Sequence, residues 1–521
     1  MEMMIPAFGE NIFSDLRENR KARVITIREC TEELFYRYTA LFLDNGFKEK
    51  ESRHTRKKMY AAFFFETEGV FINYYRETRE LSIVMETDCK YFDYLDVNQR
   101  VYTGAQIISM HLENYGMSYI VRTSDGRYII IDGGQDFQPD ADRLMKSLTE
   151  GVKGGKPIIA AWIMTHPHAD HFHCFFPFIE KYRNDVVIEK FFMNFPEADD
   201  LEQYPGLVKA ASNALKNENM LRLDKEIREI GAMVYTPHTG QIYRVGDAVL
   251  EILACMDDTI HRSDNVNATT LVIKMELGGQ VILWTADASF GAARIAERYG
   301  EYLKADILQI PHHGFSSGPS EDAIAGYKFI QPEVCLLPAS DYNAYTTFCT
   351  YRKCTNYLMH CCGVKELITG EETRILTLPY HPDDYAERLL RENYLSGREN
   401  AGARTWIFTE LNTSKRSDFE FSILNVTNLP AQISIDIFFE DGTGKGKIRY
   451  IKTTALATRI QKVCIIDPEE IESETVFYNP WSLEKREIPE NVSFAVRFMS
   501  SIPVVISHRE HVATYRTSVY Y

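Results

Sequence analysis

Apolar positions fall along this chain in three successive rhythms, and each predicts a different kind of layer. In the first hundred residues, short runs rich in β-branched and aromatic side chains alternate with polar turns. Residues 23–28 read as a strand, and Thr31, taken as the start of a capping box, opens a helix that Gly46 ends. Three more strands follow at 60–65, 69–75 and 80–86, a β-α-β-β-β order typical of a small α+β unit. The aromatic run 60–65 reads as core rather than as a ligand surface.

From about 101 to 385, helical patterns enter between the apolar runs. Strands at 106–111, 117–122 and 127–132 precede a helix at 139–150 and a buried strand at 157–164. Next come a strand–helix stretch (186–193, then 202–231), a strand at 248–254 and a hairpin of 267–275 with 280–287 that turns at Gly278-Gly279. A strand at 305–311 follows, with closing strands at 366–370 and 373–378. Such alternation predicts α/β layers.

Residues 390–404 are polar and Gly-containing and read as a linker. Beyond Trp406 the period drops to two. Short strands are expected at 419–424, 431–439, 447–453, 461–466, 493–498 and 503–507, with no helical run of useful length, which predicts an antiparallel β-sandwich. The expected fold class is α/β plus all-β, with domains at 1–100, 101–385 and 404–521.

The chemistry collects at strand ends of the middle domain. The strand 127–132 runs into Asp132-Gly133-Gly134, and 157–164 runs into Thr165-His166-Pro167-His168-Ala169-Asp170-His171-Phe172-His173. The hairpin ends in Asp287, and 305–311 delivers His312-His313-Gly314. Imidazole nitrogens and carboxylate oxygens are the donors that zinc and related ions prefer, whereas calcium and magnesium take oxygens almost exclusively. A helix after His171 would set Asp170 and His171 near its positive end. His173, inside that helix, reads as core or as support. Ser316, Ser317 and Gly318 could donate hydrogen bonds to a phosphate or form a plain loop. Cys349, Cys354, His360, Cys361 and Cys362 make a thiol-rich patch without zinc-knuckle spacing.

Composition narrows the classes. A chain of 521 residues exceeds what one core serves. Its net charge of −16 weighs against stable nucleic-acid binding, because nothing general displaces counterions from a phosphate backbone. No run approaches the ~18 apolar residues of a membrane span, and the first ten residues lack a signal-peptide pattern, so a cytoplasmic protein with no membrane partner is expected. The ten Cys lack framework spacing and are expected as reduced thiols.

The order Asp132-Gly-Gly, His166-x-His-x-Asp-His171, Asp287, His312-His313-Gly314 resembles the metallo-β-lactamase superfamily over roughly residues 105–380. The hairpin before Asp287 followed by His-His-Gly is most similar to the branch holding the hydrolase domain of competence-type (ComEC-like) DNA-uptake channels and related phosphodiester and phosphocholine esterases. The resemblance implies an αββα sandwich with a dinuclear site on one edge and two divalent ions, zinc first, manganese or iron as alternatives. It implies that His166 and His168 bind the first ion, Asp170 and His171 the second, and that Asp287 bridges both. One of His312 and His313 would complete the second site, its neighbour hydrogen-bonding substrate or protonating a leaving group, so Asp170, His312 and His313 carry the catalytic expectation. Asp132 would hold the metal loop through hydrogen bonds; its plainer reading is a turn carboxylate, as that of Asp287 is a helix cap. Most of the superfamily supplies another His between the cluster and the bridging Asp. Here His238, His261 and the pair Asp257-Asp258 lie in that interval, and none fits cleanly.

In the last segment Arg404-Thr-Trp406, Leu424-Asn-x-Thr-Asn, Ile437-Phe-Phe-Glu-Asp441 and Pro503-Val-Val-Ile-Ser-His-Arg509 resemble the small β-sandwich family typified by sensory rhodopsin transducers. That resemblance implies a binding module or a homo-oligomer contact, with His508 and Arg509 as either an anion contact or a surface pair.

Two ions about 3.5–4 Å apart lower the pKa of a bridging water toward neutrality and polarise the ester under attack. The leading expectation is therefore a metal-dependent hydrolase of a small-molecule phosphoester, phosphodiester or similar ester, using a bridging hydroxide. A metal-stabilised sensor or scaffold whose sandwich binds a ligand, and a nuclease in a DNA-handling system, are the alternatives.

Overall fold

The computed structural model describes residues 17–19, 22–87, 89, 104–150, 154–204, 217–260, 265–315, 320–339, 358, 362–382 and, within 403–520, the strands named below. The chain forms two compact units, one of Met1–Ser340 with Ile368–Tyr380 and one of Asp341–Leu367 with His381–Tyr521.

The first unit begins with a six-stranded antiparallel sheet in the order Arg17–Asn19, Ala22–Ile27, Glu80–Glu86, Glu68–Tyr75, Lys58–Phe65, Lys48–His54. The helix Glu32–Asp44 lays Leu34, Phe35, Tyr38 and Phe42 on one face, against Met59, Phe63, Ile72 and Leu81. The other face, with Tyr60, Phe64, Phe71 and Val84, packs with Ile242 of the next layer. Both faces are thus buried, which explains why Lys58–Phe65 and Glu68–Tyr75 are near-continuous apolar runs rather than alternating ones. The capping box expected at Thr31 does not form: the third residue on is Leu34, and the Thr31 side chain makes no capping bond. The edge strand Lys48–His54 was not expected, since its sequence KEKESRH has no buried residue and hence no apolar signature.

Two further sheets face each other. One runs Met233–Tyr235, Lys190–Phe192, Ile158–Ile163, Tyr128–Asp132, Ser118–Arg122, Gln106–Ser109, Arg374–Thr377, and the other Ile242–Val245, Ala248–Ala254, Val272–Leu277, Gln280–Trp284, Ile307–Gln309, Val334–Leu337, Glu366–Thr369. Their inner faces share a core that includes Tyr119, Ile131, Ile163, Ile252, Ile273, Trp284 and Ile307. The outer face of the first is covered by Leu144 and Leu148 of the helix Gln138–Glu150, Phe175 and Phe178 of Phe175–Tyr182, and Leu223 and Ile227 of Asn217–Ile230. The long helix expected over 202–231 is instead Ala198–Gln203 and Asn217–Ile230, with 205–216 outside the described residues.

Parallel pairing places the chemistry. Tyr128–Asp132 runs parallel to Ile158–Ile163, with Ile131 opposite Ile163. Gln280–Trp284 runs parallel to Ile307–Gln309, with Leu283 opposite Leu308. The carboxyl ends of these four strands therefore emerge side by side, pairwise, on one edge of each sheet.

The first sheet is also tied to the layered part by buried charge. The Lys58 ammonium meets the Glu251 carboxylate with both residues 3% exposed. Arg298 Nη1 donates to Asp258 at 2.8 Å, its Nε lies 3.7 Å from Glu80, and Gln241 Nε2 donates to Glu86 at 2.9 Å. No helix among the described residues is long and apolar enough to cross a membrane.

In the second unit all described strands pair antiparallel: Ala403–Asn412, Ser417–Leu424, Ala431–Phe439, Arg449–Thr453, Gln461–Ile465, Ser493–Val512 and Ser518–Tyr520. The strands expected at 493–498 and 503–507 are one strand of 20 residues. Its first half pairs with Ala431–Phe439 and its second with Ser417–Leu424, so it passes from one ladder to the other without a turn. The linker at 390–404 lies almost wholly outside the described residues, as do the side chains of His508 and Arg509.

Candidate metal centre

Four strand ends meet here, and at three of them the backbone takes a left-handed conformation that non-glycine residues seldom adopt. Asp132 (φ 58°), Ala286 (φ 39°), His312 (φ 51°) and His313 (φ 49°) share it. Such local strain persists only where surrounding structure over-determines it, and it gathers at functional sites. At these three ends the chain turns sharply off its strand beside the ligand-type side chains.

Two groups of ligand-type atoms result. His166, His168 and Asp287 form one, and Asp170, His171 and His313 the other, with the donor atoms of each group within 4.8 Å of one another. Asp287 stands between them and divides its oxygens. Oδ2 lies 3.8 Å from His166 Nε2, while Oδ1 lies 3.2 Å from His171 Nε2 and 3.7 Å from His313 Nε2. Asp170 Oδ2 is 3.2 Å from His313 Nε2 and 3.9 Å from His171 Nε2.

These residues are deeply placed. His166 and His171 have no exposed surface, His313 has 1% and Asp287 2%. Nε2 of His171 and Nε2 of His313 are buried without a well-formed hydrogen bond, although carboxylate oxygens stand close by. Ligand-type atoms gathered within 4.8 Å of one another suit a cation, and a set of imidazoles and carboxylates suits zinc or a neighbouring first-row ion.

Electrostatics agrees. Burial, helped by the nearby charge of His171, pushes His166 well below the ordinary histidine value, and burial lowers His168 as well. Both are neutral imidazoles, the form that binds metal. Burial alone would lower His171, but Asp287, Asp132 and Asp170 outweigh it and hold that imidazole well above the usual range; Asp287 and Asp170 do the same, less strongly, for His313. Burial opposes the charge on Asp287, and His171 and His313 overcome it, so its carboxyl sits well below the usual range.

Asp132 anchors the loop. Its carboxylate accepts from Thr165 N and Thr165 Oγ1 at 2.8 Å each and lies 2.7 Å from His171 Nδ1, while its carbonyl accepts from Trp162 Nε1 at 2.9 Å. A carboxylate on Nδ1 fixes the tautomer that leaves Nε2 toward the site. Gly116 and Gly134 close the far side: Met117 N donates to the Asp170 carbonyl at 3.0 Å, and Gly134 N to that of His171 at 3.0 Å.

His312 and His313 part company. His313 Nδ1 lies 2.7 Å from the Pro338 carbonyl and its Nε2 faces Asp170. His312, with 26% of its side chain exposed, turns toward the other oxygen of Asp287, 3.8 Å away, and its Nε2 meets Asn267 Nδ2 at 3.0 Å.

The remaining candidates lie elsewhere. His238 Nδ1 is 2.6 Å from Asp257 Oδ2, Asp258 bonds Arg298, and none of the three joins either group. His173 packs on Phe172 with ring centroids 4.5 Å apart and also joins neither. His261, Ser316, Ser317, Gly318, Cys349, Cys354, His360 and Cys361 are outside the described residues, and Cys362 is buried. Two contributors were not expected from the sequence. Asn267 is one; the other is Tyr115, whose ring lies 4.4 Å from that of His313 and forms a partly exposed wall of the site. An Asn before a β-branched strand and a Tyr in a Gly-containing loop give no spacing signal.

Compared with known proteins, residues 112–317 match the family described as the metallo-beta-lactamase superfamily. None of the curated proteins compared matches the chain. Among solved structures, an Anabaena sensory rhodopsin transducer is similar at 20% identity, covering 20% of this chain and 87% of that one, with a TM-score of 0.15. A Thermotoga maritima protein, designated 1070, is similar at 20% identity, covering 23% and 91%, with a TM-score of 0.16. Scores this low carry no argument about the fold.

Proposed function

We propose that this chain is a metal-dependent hydrolase acting on a phosphoester, phosphodiester or similar ester through a site for two divalent ions. One observation supports the reading above the others: Asp287 turns one oxygen toward His166 and the other toward His171 and His313. A carboxylate divided in this way serves two ions rather than one. His166 and His168 would hold the first, and Asp170, His171 and His313 the second, with Asp287 common to both. When bound, the ions supply Lewis acidity and a water acidic enough to attack near neutral pH.

The chain's own residues do the rest. Asp132 and Thr165 fix the loop, so that the imidazoles need not reorganise during reaction. Tyr115 and His312 are the partly exposed groups at the rim, placed to contact a substrate that enters there. His312, a neutral imidazole because burial lowers it, can accept or donate a hydrogen bond to an ester oxygen. A phosphoester fits best, because two cations can neutralise both the attacking and the departing oxygen.

The test compares the wild-type chain with Asp287→Ala, counting bound metal and assaying a bis-aryl phosphodiester beside a lactone and a β-lactam. The wild type should carry about two ions and cleave the phosphodiester, and the variant should do neither. A wild type with less than one ion per chain that cleaves none of the three overturns the reading.

A further inference from the structure

Resting on the two-ion reading, we propose that Asn267 is a positioning residue that keeps His312 out of the first ion's ligand set, leaving that site with three protein ligands and the lower affinity. Zinc–nitrogen and zinc–oxygen bonds of about 2.0–2.2 Å place donor atoms on one ion roughly 3–4 Å apart. His312 Nε2 stands 3.8 Å from Asp287 Oδ2, the same separation as His166 Nε2 from that oxygen. Measured to Asp287 alone, His312 stands where a further ligand would, whereas His166, His168 and Asp287 are the three whose donor atoms all lie within 4.8 Å of one another.

What keeps its ring from closing on that group is the contact at 3.0 Å with the Asn267 carboxamide. Nε2 has a single in-plane position for a lone pair or a proton. If the amide N–H donates to it, the lone pair is occupied; if the amide is turned so that its oxygen accepts, Nε2 carries a proton. In both orientations Nε2 cannot ligate while the bond stands, so the conclusion does not depend on which way the amide is written.

Asn267 is held for this purpose. It is 4% exposed, its backbone N–H donates to Asn265 Oδ1 at 3.0 Å, and its turn Val266–Thr269 is pinned by Thr259 Oγ1 on the Ala268 carbonyl. Just beyond, Leu271 N donates to the Thr165 carbonyl at 3.0 Å, joining this turn to the metal loop. The other carboxamide atom, Oδ1, is buried with no partner among the described residues, so the side chain's polar contact is with His312. Asn267 also lies in the interval between His171 and Asp287, where most of the resembled superfamily supplies another His and where His238 and Asp257 bond each other. The open position on the first ion is then available to water or substrate.

The experiment strips the full-length protein with chelator and titrates it with zinc, and separately with cobalt, by calorimetry and native mass spectrometry. Wild type, Asn267→Ala, His312→Ala and the double variant are compared. The wild type should take up two ions with unequal constants. Asn267→Ala should tighten the weaker constant by on the order of tenfold and shift the cobalt spectrum toward higher nitrogen coordination, a gain that a merely structural lesion does not produce. His312→Ala should leave the weaker constant within about threefold of wild type, and the double variant should match it, since the gain requires the His312 lone pair. Should Asn267→Ala fail to fold, Asn267→Leu keeps the volume and removes the amide. An unchanged weaker constant in the Asn267 variant overturns the proposal, as does a tenfold loss in His312→Ala, which would make His312 a ligand already. A wild type that binds two ions while either of those results is seen leaves the two-ion reading standing; a wild type that binds none overturns both.

Discussion

Asp132 Oδ2 lies 2.7 Å from His171 Nδ1, and both residues are fully buried. The same carboxylate holds Thr165 twice, so one side chain sets both the tautomer of His171 and the path of the loop that carries it. Asp132→Ala should weaken uptake of the second ion by about 10- to 100-fold, the usual cost of losing a group behind a ligand. Calorimetric titration reads this directly, and equal constants for variant and wild type would sink it.

Asp287→Ala and His168→Ala should differ in kind. Asp287 faces both groups, so its loss should reduce the metal count below one per chain. His168 belongs to one group, so its loss should leave about one ion bound. Elemental analysis after dialysis separates the two. A chelator should abolish hydrolysis in the wild type, and added zinc or manganese should restore it.

Gly116 packs where a side chain cannot go. A Cβ there would stand 2.5 Å from the Asp170 carbonyl oxygen and 3.0 Å from Gly134 Cα, both backbone atoms. Gly116→Ala should destabilise the fold by about 1–3 kcal/mol, as overpacking does. Because the displaced backbone is that of Asp170, the second ion should bind more weakly too. Denaturant unfolding and metal titration on the same sample check both.

The buried Lys58–Glu251 pair makes a separable stability prediction. Lys58→Met leaves a carboxylate buried without its ammonium and should cost about 3–5 kcal/mol, while Lys58→Met with Glu251→Leu should recover most of it. Burial raises the Glu251 carboxyl, but Lys58, with help from Tyr302, outweighs burial and holds it below its ordinary value. A folded value below the unfolded one stabilises above the ordinary carboxylate range of about 4.3 and is lost as pH falls through the folded value. The double variant should therefore lose stability less steeply in acid than the wild type. Parallel acid-unfolding curves would contradict this.

The cluster of ligand-type residues was legible because apolar strands ending in His or Asp announce themselves by period and by residue type. The parallel strand pairs then brought His166, His168, Asp170, His171, Asp287 and His313 together. Which of His312 and His313 joins the second group was not legible, since adjacent residues in left-handed backbone point apart in a way no spacing rule conveys. Asn267 and Tyr115 were missed for a related reason: their roles arise from contacts across 45 residues and across 198, and nothing local marks them. The edge strand Lys48–His54 has no apolar face to read, and the continuous strand Ser493–Val512 hides behind Pro503, which ordinarily argues for an interruption.

The left-handed backbone at His312 and His313 has a consequence for substitution there. Asparagine or glycine would sit in those conformations at lower cost than histidine. Glycine or asparagine at either position would relieve that backbone, so such a replacement should raise local backbone stability while removing a group that lines the site.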